Sequence, residues 1–264
     1  MKTIHFLLAS LLLATPFCGM AKKVKNNSAS HHIVSVDNWT SLTSTGSFDI
    51  TIKIMPDSVG SVRVIASDCL FEKMRVVAQG SNLEISYKPD TRVHCDRSPK
   101  IIAYSDGRLE SVVLTGSGDI RLPALNTNSN LMMTLTGSGE IKAPSIKVSD
   151  IKATLTGSGD IEVEKATVSG SIQLTLTGSG DIEFNHISAN TLNASLQGSG
   201  DIDISGKANN VNLVVNGTGD IDAARLKALH LSAVATGPGG ITFGEAKTVK
   251  AKGPNVRQSK KIKH

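Results

Sequence analysis

The chain has 264 residues, of which 39% are hydrophobic, 3% aromatic and 19% charged. That is too apolar for a disordered chain, glycine without a three-residue period excludes collagen, and one Trp with two Tyr argues against a groove built on aromatic platforms. The formal charge of +5 misleads, because seven of the 28 basic residues follow Glu245, while residues 22–245 carry 20 basic against 23 acidic groups and no basic stripe for nucleic acid.

Met1–Ala21 reads as a secretory signal peptide. Lys2 opens it, Phe6–Ala14 is a short apolar run, and Gly19-Met20-Ala21 ends in small residues. A membrane anchor is the alternative, but the run falls short of the ~18 residues a span needs. A lipoprotein carrying its lipid on Cys18 is another, although Phe17 sits where a small residue is wanted. No other run is long enough to span, so no membrane span is expected after cleavage. Residues 22–32 are polar and read as a disordered linker.

Residues 33–110 alternate, as in Phe48–Ile54, Val62-Arg-Val64 and Ile101–Tyr104, and Ser44–Ile50 is a degraded copy of a later motif. These are β-strands that begin and cap a larger β-structure. Cleavage removes Cys18 and leaves Cys69 and Cys95 here, and export to an oxidising compartment predicts one disulfide between them. A metal or nucleophile site is the other use of such a pair. His94 adjoins Cys95, but neighbours on a strand point to opposite faces, which argues against a Cys–His catalytic pair.

Residues 111–245 repeat. Thr-Gly-Ser-Gly-Asp-Ile occurs at 115–120, 156–161 and 177–182, with a Glu140 variant at 136–141 and looser copies at 197–202, 216–221 and 236–241. The acidic position falls at 119, 140, 160, 181, 201 and 220 and becomes Gly240 in the last copy, a period near 20 residues. Within each period the aliphatics alternate in three short groups, for example Ile141 and Ala143, Ile146 and Val148, then Ile151, Ala153 and Leu155. A helix would show a period near 3.6, a propeller blade needs about twice this length, and the Asn-bearing leucine-rich consensus is missing. Three short strands per period, stacked in register, make a parallel β-helix whose coils rise by about 4.8 Å. Its core ladders are Leu114, Leu135, Leu155, Leu176, Leu196, Val215 and Ala235, and the isoleucines that follow each acidic position. The glycines supply positive φ at a corner, and the acid accepts turn amides. Residues 246–264 form a basic tail, read as a final partial coil from Thr248 to Gly253.

With Leu83–Tyr87 and Leu109–Leu114 preceding them, the Gly-Ser-Gly-Asp-Ile repeats resemble the head GIN domain family of auto-transporter adhesins, common in Bacteroidetes. The resemblance covers roughly 35–262 and implies a secreted right-handed β-helix. It carries no catalytic residues over, and Gly240 with Pro238 departs from the pattern, as where a regular ladder ends.

Three surfaces are candidates for chemistry. The acidic positions stack on one edge, where like charges ~4.8 Å apart repel by about 0.9 kcal/mol at water's dielectric. Calcium between Asp160, Asp181 and Asp201 would relieve this, but the nine-residue calcium repeat is not matched, and turn-capping carboxylates are the preferred reading. The same carboxylates could serve a polysaccharide hydrolase or lyase, which needs paired acids and usually a break in the ladder that builds a cleft; the ladder here is monotonous. Third, Thr134 and Thr136, Thr154 and Thr156, and Thr175 and Thr177 make three Thr-x-Thr rungs on one outer face. They are like those of ice-binding solenoids, but Ser195 with Gln197 and Val214 with Asn216 interrupt them. The preferred reading is an exported, non-enzymatic binding or structural module, without cofactor. It would act in the periplasm, at the outer-membrane surface or outside the cell, on an unidentified glycan or protein.

Overall fold

Alternation decides which side chains enter the core. Leu131, Met133 and Leu135 are buried while Met132, Thr134 and Thr136 between them are not, and Ile151–Gly157 and Ser171–Gly178 repeat the pattern. A computed structural model describes residues 29–91 and 98–259. The signal segment Met1–Ala21 with Cys18, and also Cys95, lie outside the described residues.

The strands form a parallel β-solenoid of about seven turns. Each regular coil contributes one strand to each of three sheets. Leu135 pairs in register with Leu114 and Leu155, Ile141 with Ile120 and Ile161, and Ile146 with Leu125 and Ala166. The leucine and isoleucine ladders are buried along their whole length; Leu155 and Ile161 are 0% exposed. Each such aliphatic side chain contributes about 1.5–3 kcal/mol by leaving water. In later coils the short strands fuse into Asp181–Gly198, Ile202–Asn216 and Ile221–Thr236, which run through two corners without a break.

The amino-terminal region does more than cap the stack. Its strands are β1 (Ser30–Ser35), β2 (Ser41–Gly46), β3 (Asp49–Ile54), β4 (Ser61–Ala66), β5 (Met74–Gln79), β6 (Asn82–Tyr87), β7 (Lys100–Ser105), β8 (Ser111–Gly116) and β9 (Asp119–Arg121). β2 lies between β6 and β8, and β3 lies between β7 and β9, all parallel. The coil that comes first in sequence is therefore flanked on both sides by later ones. Antiparallel strands close this end: β5 on β6, and β4 on β7 with β1 beyond it.

β1 also begins inside the segment 22–32, which the sequence reads as disordered. Ser30–Ser35 pairs with Ser61–Ala66, and the His32 ring stacks on Phe71 with centroids 3.9 Å apart. Pairing and stacking offset the ordering entropy that composition alone sets against it. Phe71 belongs to α1 (Asp68–Phe71), which also carries Cys69. At the other end Ile241–Lys252 continues past residue 245, and Val256–Gln258 pairs with Ile241–Phe243.

Candidate functional site

The six threonines singled out above lie together on one sheet. Thr134, Thr154 and Thr175 are in register and half-buried; Thr136, Thr156 and Thr177 are in register and exposed. The exposed column extends in both directions. Thr45 and Thr115 precede it, and Gln197, Asn216 and Thr236 follow it. The inner column continues as Ser195, Val214 and Val234, so the face grows more apolar along one line and stays polar along the other.

This face ends at the Gly-Ser-Gly corner. The first glycine of the motif has positive φ in every copy except 216–221, as in Gly137 (132°), Gly157 (133°) and Gly178 (137°). The first glycine also meets the preceding coil, where a Cβ on Gly178 would lie 2.1 Å from Gly157 O, and the second glycine has that cause alone. A Cβ on Gly159, Gly180 or Gly200 would lie 1.9–2.2 Å from the carbonyl oxygen of the glycine one coil earlier. The coils stack too closely there for any side chain. The corner amides bond across the same gap: Ser158 N–H donates to Gly137 O at 2.9 Å, and Ser179 N–H to Gly157 O at 2.8 Å.

The aspartates from Asp160 onward do not cap their own turns; each accepts an amide from the next coil. Asp160 Oδ1 accepts from Asp181 N–H at 3.1 Å, Asp181 from Asp201 at 2.9 Å, Asp201 from Asp220 at 2.8 Å, and Asp220 from Gly240 at 2.6 Å. One oxygen of each weak calcium candidate is thus committed to the backbone. Among the described residues no group of three or more His, Cys, Asp or Glu side chains is arranged to hold a metal ion.

A second charged column, missed at the sequence level, runs beside the first. It comprises Arg121, Lys142, Glu162, Glu183, Asp203 and Asp222, in register. Its signal was legible in the Asp-Ile-Glu and Asp-Ile-Asp continuations of the motif. Lys142 pairs with Glu162 and holds its carboxyl below the usual range. Burial pushes the Asp203 carboxyl up, and the neighbouring Asp222, Glu183, Asp201 and Asp181 add to that.

The opposite edge of the threonine sheet changes along the stack. In the earlier coils it is a tight corner, where the Ser171 hydroxyl (2.7 Å) and amide (2.8 Å) bond Asp150 and hold its carboxyl low. Where the strands fuse, this edge opens into a groove of about 420 Å³. Thr191, Asn210, His230 and Thr248 stand on one side, and Asn193, Asn212, Ser232 and Lys250 on the other.

Solved structures share this fold, among them three from Parabacteroides. A "putative adhesin" from Parabacteroides distasonis ATCC 8503 superposes with a TM-score of 0.79 at 18% identity, covering 89% of this chain and 98% of its own. A "putative lipid binding protein" from the same organism gives 0.75 at 20%, with the same coverage. A "putative adhesin" from Parabacteroides merdae ATCC 43184 gives 0.73 at 18%, again covering 89% and 98%. No functionally curated protein matches the sequence. The family model described as "Putative auto-transporter adhesin, head GIN domain" matches residues 38–169 and 152–254, and the chain belongs to that family.

Proposed function

We propose that the protein is an exported, non-enzymatic binding module that presents its threonine sheet to a glycan or protein at the cell surface. One observation carries the reading: the outward column Thr45, Thr115, Thr136, Thr156, Thr177, Gln197, Asn216 and Thr236 is in register, one polar side chain per coil. The backbone ladder fixes these groups before a ligand arrives, so little ordering entropy opposes binding. Membership of an adhesin-described family supports the same reading. Between its ends the sheet is paired on both sides and its outer column stays polar along its length, which suits adhesion better than a reaction that needs two carboxylates facing one bond.

The test measures binding of the mature chain to a bacterial envelope fraction and to a surface-glycan array. The combined variant Thr136→Lys, Thr156→Lys and Thr177→Lys should lose binding at least tenfold with an unchanged melt. Asp160→Asn, on another face, should bind as the parent does. Equal binding by all three proteins would overturn the reading, and release of new reducing ends from a bound polysaccharide would favour a hydrolase or lyase.

A further inference from the structure

We propose that the groove at the far edge of the threonine sheet is a site for a linear, uncharged oligosaccharide lying along the solenoid axis. The inference rests on the binding-module reading above and names its ligand class. The groove is assembled from four successive coils, and its two walls are register columns: Asn193 pairs with Asn212, and Asn210 with His230. Its volume of about 420 Å³ lies within the range of small-molecule sites.

The chemistry of the walls selects the ligand. Among the described residues the side-chain amides of Asn193, Asn210 and Asn212 have no hydrogen-bond partner, whereas Asn190 and Asn209 at the adjacent corner bond each other at 3.1 Å. Each of these amides offers donors and an acceptor, the complement of a sugar hydroxyl, which does both. Thr191 and Ser232 add hydroxyls, and the His230 ring is held by Thr248 Oγ1 at 2.8 Å from Nδ1. No carboxylate lines the groove, and Lys250 in the last coil is its single formal charge.

Across the first three of its coils the floor excludes an extended peptide docking by strand addition. Val211 and Leu231 lie beneath the walls with side chains only 4% exposed, and their backbones already pair with each other and with Leu192 and Val249. Only the last coil, Thr248–Lys250, has a free ladder edge, since it pairs with His230–Ser232 alone; on the other three coils recognition comes from side chains. The rungs recur at about the 4.8 Å strand spacing, close to the advance of one sugar unit per coil in an extended chain.

Titration calorimetry with cellohexaose, β-mannohexaose, xylohexaose and maltohexaose tests the assignment, with hexagalacturonate and hexalysine as charged comparators. At least one neutral hexasaccharide should bind saturably below 1 mM. The exposed double variant Asn193→Ala with Asn212→Ala should weaken it at least tenfold with an unchanged melt, and Asp160→Asn, on another face, should not. Binding by none of the four, tighter binding of either comparator, or full binding by the asparagine variant would overturn the proposal. If the chain still captures the envelope fraction in that case, the binding-module reading stands and only this groove is wrongly assigned; if capture fails as well, that reading falls with it.

Discussion

A methyl group on Gly180 would lie 1.9 Å from the Gly159 carbonyl oxygen, although Gly180 does not have positive φ. Gly180→Ala should therefore destabilise by roughly 1–3 kcal/mol through overpacking alone. Ser179→Ala, one residue earlier on the exposed side, should leave the chemical-denaturation midpoint nearly unchanged. Equal effects would mean that the second glycine answers to backbone conformation after all. The motif itself was legible in the sequence, but its cause was only half legible. Positive φ explains the first glycine in part, but both glycines also depend on the coil beneath, which no single repeat contains. The same holds for the acid. Its role as an acceptor could be read from residue type, but not that its donor lies about twenty residues later, as in the 2.8 Å bond from Asp220 N–H to Asp201.

At the level of the strand, stacking turns a harmless residue into a column. Glu183, Asp203 and Asp222 are each ordinary on an outer face, but in register they crowd, and partial burial pushes the Asp203 carboxyl up. A folded carboxyl that holds its proton to higher pH than the unfolded one makes the ionised form costly. That cost is present above the folded pKa and disappears as pH falls through it. Asp203→Asn should thus raise Tm at pH 7, by about 1 °C given the solvent exposure of the site, and the gain should vanish in acid. A scan of Tm against pH for both proteins checks this; a gain that persists below the carboxylate range would place its origin elsewhere. Strand type was readable from alternation, yet fusion into Asp181–Gly198 was not. The corner sequences Val168-Ser-Gly170 and Ala189-Asn190 differ little locally, and only the neighbouring coils decide which one bends.

Across the whole molecule, sequence order and stacking order agree from β8 onward but not before it. A repeat gives the order of coils only where each coil follows its predecessor in space. The swap of β2 and β3 into the middle of later strands arises in the irregular region, where no ladder of identical residues marks the neighbour. The swap makes the two ends unequal. In a solenoid each coil contacts only its neighbours, so removing a terminal coil costs one interface. Deleting residues 241–264 removes Ile241–Lys252, which pairs with Ile221–Thr236, and Val256–Gln258, which pairs only with Ile241–Phe243. That chain should keep its β-signal and a cooperative melt, at a somewhat lower Tm. Deleting residues 1–59 removes β1, β2 and β3, and β6 and β7 then lose the strands that join them to β8 and β9. The stretch 61–105 should become rapidly cleavable in limited proteolysis, while the coils after Ser111 resist. Equal protection of 61–105 in both truncations would mean that β6 and β7 can dock directly on β8 and β9, and that the inserted coil is dispensable.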